Sequence, residues 1–149
     1  MPEIIGGIEG AWTVKASVKE LIEELEPNVH TFVPVNLRVR GTGRDHGEYF
    51  LLHFGQAIDA VVIDETDFVE GHGRFGFDKS RSVLSSFGDC VLDASLIAGR
   101  HLWRGARGRY GTYTPFSGTW FCSEELAERL KAIGARGWEF RKCKLKSSS

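Results

Sequence analysis

The chain has 149 residues, of which 42% are hydrophobic and 26% charged, with a formal net charge of −1. Such a chain is long enough to bury a core without disulfides or structural metals. No run approaches the ~20 apolar residues that a membrane-spanning helix needs, and the first residues lack the pattern of a secretory signal. Three cysteines without C-x-x-C spacing predict neither a disulfide framework nor a zinc knuckle. We therefore expect a cytoplasmic protein that does not contact membranes.

The charge is distributed unevenly along the chain. Residues 1–75 contain 6 Lys and Arg against 13 Asp and Glu, whereas residues 76–149 contain 13 against 7. If the two halves interleave in the fold, the surface becomes mixed. If they do not, an acidic and a basic face would steer a charged partner.

The first predicted element is a short amphipathic helix. Ser17 and Glu20 form a capping-box pattern, which predicts Ser17 as the N-cap. An apolar stripe follows at helical spacing: Val18, Leu21, Ile22 and Leu25. Pro27 and Asn28 are expected to end the helix.

Extended segments follow the helix. The stretches HTFVPV (30–35), NLRVR (36–40) and EYFLLHF (48–54) predict strands, and the glycine-containing segment 41–47 predicts a hairpin turn between the last two. EYFLLHF is apolar almost throughout and is expected to be a central strand covered on both faces. AIDAVVIDET (57–66) predicts a further strand.

The middle of the chain has little periodicity. Four glycines in residues 70–89 predict a mobile loop or a wide hairpin. Short strands are predicted at 90–93 and 101–105, with a single helical turn between them. Residues 104–118 predict a second loop, which is rich in glycine, arginine and tyrosine.

The C-terminal part predicts a strand at 119–122, a helix at about 123–133 and a final strand at 137–145. Ser123 is the expected N-cap, and Gly134 is placed for a left-handed C′ residue. Leu126, Leu130 and Ile133 are expected to face the core. The elements predict the α+β class: a single domain over residues 1–149, with a mostly antiparallel mixed sheet and two packed helices.

Cys122 lies beside the predicted helix start, where a nucleophile could be activated. Such a thiol would need a lowered pKa and a histidine within reach, and Glu124 and Glu125 oppose the first requirement. Strand alternation places Cys122 on the same face as Trp120. We therefore interpret it as a small buried hydrophobe and expect no catalytic residue.

Other polar clusters could be functional sites or ordinary solvated surface. His46 and His72 lie beside acids, and residues 64–70 (DETDFVE) group four carboxylates, but they lack the register of a calcium loop. Arginines and aromatics around residues 100–113 could bind nucleic acid, yet the sequence pI of about 6.5 argues against it. We expect no metal, no cofactor and no nucleic-acid partner, and we interpret the acids at 64–70 as an anionic surface for a basic partner.

Three segments carry a family resemblance: YFLLHFGQAIDAVVIDET, VLDASLIAGRHLWRG and WFCSEELAERLKAIGARGWEFRKCK. Over about residues 30–145 the chain resembles immunity proteins of polymorphic toxin systems. The resemblance implies a cytoplasmic α+β protein that binds a cognate toxin, encoded beside it, and blocks it in bacterial competition. The positions that match are expected to be scaffold: Asp59, Asp93, Ile97, Gly99, Trp103, Arg104, Ser123, Leu126, Gly137 and Phe140.

The sequence thus predicts an antitoxin, not an enzyme, that occludes a toxin's active site as a monomer or homodimer. The predicted contacts are charged, apolar and mixed side chains: Asp64, Glu65, Asp67 and Glu70; Phe68, Phe75 and Phe77; and Arg107 and Tyr110. The alternative is a small ligand-binding protein or enzyme with a site at the loops 44–48, 70–77 and 104–113.

Overall fold

A computed structural model describes residues 2–8, 11–38, 41, 43, 45–62, 65–66, 68–69, 83–84, 90–105 and 120–147. Within these ranges the elements in chain order are β1 (Ile4–Ile8), β2 (Ala11–Val14), α1 (Ala16–Leu25), β3 (Thr31–Arg38), β4 (Asp45–His53), β5 (Ala57–Ile58), β6 (Phe68–Val69), β7 (Val83–Leu84), β8 (Val91–Asp93), α2 (Ala94–Ile97), β9 (Leu102–Gly105), β10 (Trp120–Cys122), α3 (Glu124–Ala132) and β11 (Lys144–Lys146). None of the helices in these ranges has the length and apolar character needed to cross a membrane.

The chain forms two compact units. The first contains Met1–Gln56 and Cys122–Phe140, and the second contains Ala57–Phe121 and Arg141–Ser149. Helices and mainly antiparallel sheets confirm the α+β class. The described strands form four sheets instead of the one that we predicted, and all seven strands after β4 have only two to four residues. The single domain stays a prediction.

The first unit contains a four-stranded antiparallel sheet with the order β1-β2-β4-β3. The predicted hairpin is confirmed: β3 and β4 pair from Thr31 with His53 to Arg38 with Asp45. The two strands that we predicted before the turn, at 30–35 and 36–40, form one strand, β3. Pro34 is tolerated within it because β3 lies at a sheet edge and pairs on one side. As predicted, β4 is central, and it buries Tyr49 and Leu52 on its two faces.

Helix α1 packs through the predicted stripe, with Val18, Leu21 and Ile22 buried. Our prediction of Ser17 as N-cap is wrong. The helix begins at Ala16, so Ser17 lies in the first turn, and the N-cap is Lys15, whose side chain makes no capping hydrogen bond. The helix ends before Pro27, as expected.

Helix α3 follows the sequence closely. The Leu126 N–H donates to Ser123 Oγ at 3.1 Å, which confirms the N-cap. Gly134 follows with a φ of 71°, the left-handed conformation that ends the helix. Leu126 and Leu130 are buried, but Ile133 is 48% exposed and is not part of the core face, because it is already the C-cap residue.

The core of the second unit is built around Trp103. Its ring stacks on Phe121 with a centroid distance of 5.8 Å and an interplanar angle of 12°. The other buried members of this cluster are Ala60, Cys90 and Leu92. Trp103, one of the positions of the family resemblance, is therefore part of the scaffold and is only 2% exposed.

Two predicted strands are shorter than expected. In the described part of the stretch 57–66 (residues 57–62 and 65–66), β5 covers Ala57–Ile58, and an isolated bridge from Val61 to Leu92 follows. In the stretch 137–145, regular pairing begins at Lys144. There Gly137 has a φ of 110°, and a Cβ on it would lie 1.9 Å from the Ile4 carbonyl oxygen. This close backbone approach keeps the start of the segment out of a ladder.

Candidate functional site

The structure describes two of the predicted contact residues. Glu65 is described in full, and Phe68 is placed by its backbone in β6. The others lie outside the described residues: Asp64, Asp67, Glu70, Phe75, Phe77, Arg107 and Tyr110. Of the alternative site, the described parts are residues 45–48 of β4 and 104–105 of β9.

Glu65 is exposed on a turn whose backbone is held by hydrogen bonds. Its N–H donates to the Val62 carbonyl at 3.2 Å. The buried Thr66 hydroxyl donates to the same carbonyl at 2.8 Å and accepts from the Val91 N–H at 3.1 Å. These bonds tie the turn to β8, so the backbone that carries Glu65 is held in place.

The Glu65 carboxylate pairs with a lysine of the C-terminal strand. Lys146 Nζ lies 2.9 Å from Glu65 Oε1, and both side chains are about half exposed. An exposed ion pair of this kind contributes about 0–1 kcal/mol to stability, because water competes for both charges. The carboxylate can therefore exchange Lys146 for a partner's cation at little cost.

The ion pair lies on one face of the ladder that β8 and β11 form. In the parallel pairing of β11 with β8, Lys146 is opposite Asp93, and Leu145 is opposite Leu92. Leu145 is 64% exposed, but strand alternation directs it to the opposite face from Lys146. We name the three residues Glu65, Asp93 and Lys146 the Glu65 surface. It carries charges of both signs.

Asp93 has a second contact at the start of α2. Its Oδ1 accepts from the Ser95 hydroxyl at 2.6 Å and from the Ser95 N–H at 3.0 Å. The Ser95 hydroxyl, followed by the amide, lowers the pKa of Asp93 below its ordinary value. Asp93 therefore caps α2 as an anion and keeps a negative charge opposite Lys146.

Strand β6 directly precedes the predicted loop at 70–89, and β7 lies within it. They pair antiparallel, with Phe68 opposite Leu84 and Val69 opposite Val83. The pairing supports the hairpin interpretation at the base of the segment, and residues 70–82 and 85–89 lie outside the described residues.

A second charged surface, in the first unit, was missed by sequence reasoning. We name it the acidic helix surface, and its exposed carboxylates are Glu20, Glu23, Glu24, Glu124, Glu125 and Glu128. Arg129 joins the two helices, with Nη1 3.0 Å from Glu24 and Nη2 3.2 Å from Glu125. From the sequence, we considered Glu124 and Glu125 as acids near Cys122. The repeated outward carboxylates on both helices were the signal for a surface.

The candidate nucleophile is not deeply buried. Cys122 and Trp120 are both half-buried, while Phe121 between them faces the core. The shared face of Cys122 and Trp120 is confirmed, but our prediction that Cys122 is buried is wrong, because β10 alternates and Phe121 takes the inward position. Within the described ranges, no group of three or more His, Cys, Asp or Glu side chains is arranged to hold a metal ion.

His30 is a buried histidine to which the sequence analysis assigned no role. Its Nε2 lies 2.9 Å from Glu26 Oε1, and its Nδ1 accepts from the Gly55 N–H at 3.1 Å. Gln56 donates to the other Glu26 oxygen at 2.6 Å. The network lies entirely within the first unit, and its contacts connect the end of α1 to the segment after β4.

The fold and its surfaces are those of a small α+β protein with charged groups directed outward. A family model described as Immunity protein family (Imm11) matches residues 1–145. The match covers nearly the whole chain, so the chain belongs to this immunity protein family, as the resemblance predicted. Comparisons with curated proteins and with solved structures gave no match.

Proposed function

We propose that this protein is an antitoxin that binds a cognate bacterial toxin, encoded next to it, and occludes the toxin's active site. It acts in the cytoplasm in bacterial competition, as a monomer or homodimer, and catalyses no reaction. The observation that carries the proposal is membership of the immunity protein family over residues 1–145. Proteins of this class act by binding a toxin.

The proposed contact region is centred on the Glu65 surface. It includes the neighbouring acids and apolar anchors predicted from sequence: Asp64, Asp67, Glu70, Phe68, Phe75 and Phe77, with Arg107 and Tyr110. Its support is that Glu65 is exposed on a turn that hydrogen bonds tie to β8. A preorganised charge loses little freedom on binding, and a desolvated apolar side chain supplies much of the affinity.

Glu65 can exchange its ion pair with Lys146 for an ion pair with the toxin at a small energetic cost. The exposed pair with Lys146 contributes at most about 1 kcal/mol, whereas a close charge pair in a desolvated protein interface has a coupling energy of about 1.5–7 kcal/mol. Displacing Lys146 from Glu65 therefore costs at most about 1 kcal/mol, which a close charge pair with the toxin can offset. The acids at 64–70 would also raise the association rate by steering a basic toxin surface.

The test uses the product of the neighbouring gene. We expect its expression alone to arrest growth, and co-expression of this chain to relieve the arrest. Glu65→Lys should weaken binding about 10-fold or more, measured by surface plasmon resonance, because it places like charges together. For the wild-type pair, the association rate should fall as salt is added. Persistent growth arrest on co-expression would contradict the proposed function.

Two variants separate a contact role of Glu65 from a structural one. Glu48→Lys reverses an exposed carboxylate on β4 and should leave binding unchanged. The charge swap Glu65→Lys with Lys146→Glu restores an internal ion pair in the opposite orientation. If Glu65 contacts the toxin, the swap should stay impaired. Full recovery by the swap would show that Glu65 acts only through Lys146.

A further inference from the structure

Two cysteines that are far apart in sequence lie side by side in the second unit. Strands β8 and β11 pair in parallel, with Val91 opposite Lys144. The Lys144 N–H donates to the Cys90 carbonyl at 2.8 Å. Extending this register by one residue places Cys143 directly opposite Cys90, on the neighbouring strand.

This placement satisfies the spacing that a disulfide needs. Paired strands lie ~4.8 Å apart, and the Cα atoms of a disulfide are usually ~4.4–6.8 Å apart. Both thiols are free in the structure, and they are hydrogen-bonded to each other. The parallel register and this interaction therefore place the two thiols side by side before any covalent bond forms.

The surroundings differ for the two thiols. Cys90 is 6% exposed and belongs to the buried cluster around Trp103. Cys143 packs against the same cluster but is half-buried, so it is the more exposed of the two thiols. One thiol is thus accessible, and the other is placed to react with it from within the core.

The interaction also distinguishes the two thiols chemically. The hydrogen bond from Cys90 lowers the pKa of Cys143, and the Arg141 guanidinium acts in the same direction. The same interaction, together with burial, raises the pKa of Cys90. Cys143 therefore becomes the thiolate first, and the thiolate is the form that attacks a disulfide.

We propose that Cys90 and Cys143 form an oxidisable dithiol site, which a low-molecular-weight disulfide such as oxidised glutathione converts into an intramolecular disulfide. The Cys143 thiolate attacks one glutathione sulfur, the S–S bond of glutathione breaks, and one glutathione thiolate leaves. Cys90 then releases its proton to solvent and attacks Cys143 Sγ, and the second glutathione leaves. Two electrons pass from the protein to glutathione, which ends as two thiols.

The consequence is a covalent clamp on the C-terminal strand. β11 has three residues, and among the described strands it pairs with β8 in a two-stranded sheet. Such a short pairing is weak by itself in water. The disulfide would hold β11, with Leu145 and Lys146, against β8. This site does not depend on toxin binding.

The test is thiol mapping on the full-length wild-type protein. After incubation with oxidised glutathione and denaturation, maleimide-reactive thiols should fall from three to one, with Cys122 remaining reactive. Proteolysis and mass spectrometry should recover the peptide of Cys90 linked to the peptide of Cys143. Three remaining thiols, a lasting glutathione on wild-type Cys143, or a cross-link between two copies would each overturn the proposal.

Single substitutions test the order of the two steps. In Cys90→Ser, glutathione should remain attached to Cys143, because the second thiol is missing. In Cys143→Ser, the buried Cys90 should react much more slowly. Cys122→Ser is the control and should form the disulfide as the wild type does. An equal rate of modification in Cys143→Ser and Cys90→Ser would contradict the assignment of Cys143 as the attacking thiol.

Discussion

At the scale of single residues, His30 is a buried side chain with a partner on each ring nitrogen. The Gly55 N–H donates to Nδ1, so Nδ1 carries no proton and the Nε2–H donates to the Glu26 carboxylate. The Phe54 ring meets the imidazole edge to face at 5.7 Å. Burial of both partners makes this hydrogen bond costly to remove.

His30→Ala should lower the free energy of unfolding by about 2–4 kcal/mol, because buried Glu26 loses its imidazole donor. His53→Ala, at an exposed position of β4, is the matched control and should change stability by less than about 0.5 kcal/mol. Urea unfolding followed by circular dichroism measures both. A loss in His30→Ala no larger than in the control would show that the network contributes little.

At the scale of elements, the two longer helices differ in how they begin. Ser123 caps α3 through its hydroxyl, whereas Ser17 lies inside the first turn of α1. The sequence pattern favours the wrong serine, since Ser17 is followed three residues later by the Glu20 of a capping box, whereas Leu126 takes that position after Ser123. The difference is that α1 begins before its serine, directly after β2.

This difference gives a paired prediction. Ser123→Ala should destabilise the protein by about 1 kcal/mol, because the Leu126 N–H loses its acceptor. Ser17→Ala should be neutral or stabilising by a few tenths of a kcal/mol, because alanine has the higher helix propensity (about 0.5 kcal/mol). Chemical denaturation of both variants provides the measurement. Equal losses would mean that Ser17 acts as a cap in solution.

At the scale of the whole molecule, the charge asymmetry of the sequence is reduced but not abolished. The first unit contains 8 Lys and Arg against 12 Asp and Glu, and the second contains 11 against 8. Because each unit combines two separate stretches of chain, their net charges become −4 and +3. The two units thus keep net charges of opposite sign. This outcome lies between a fully mixed surface and the full charge separation of the two halves of the sequence.

The same division bears on the number of domains. The chain passes from one unit to the other three times, so neither unit is made by one continuous stretch. We expect the protein to unfold as a single cooperative domain. Native-state hydrogen exchange should give the same opening free energy for the buried amides of Leu52 and Leu92. Two well-separated opening energies would contradict the single-domain prediction.

The sequence alone was sufficient for features that are local in the chain. The cap and glycine terminus of α3, the hairpin of β3 and β4, and the turn of α2 each depend on residues only a few positions apart. The family resemblance also came from the sequence, because its motifs are capping and packing patterns of this kind. Strand ends and the start of α1 were harder to predict from the sequence, because neighbouring elements decide where a ladder or helix begins.

Only the tertiary structure decided which distant side chains meet. Gly55 reaches His30, Lys146 reaches Glu65, and Cys143 lies opposite Cys90, although each pair is separated by 25 or more positions. A local sequence pattern does not encode such a pairing, because strand register and tertiary packing bring the partners together. The physical reason is that secondary structure follows from short-range sterics and hydrogen bonds, whereas surfaces and buried polar contacts follow from long-range closure.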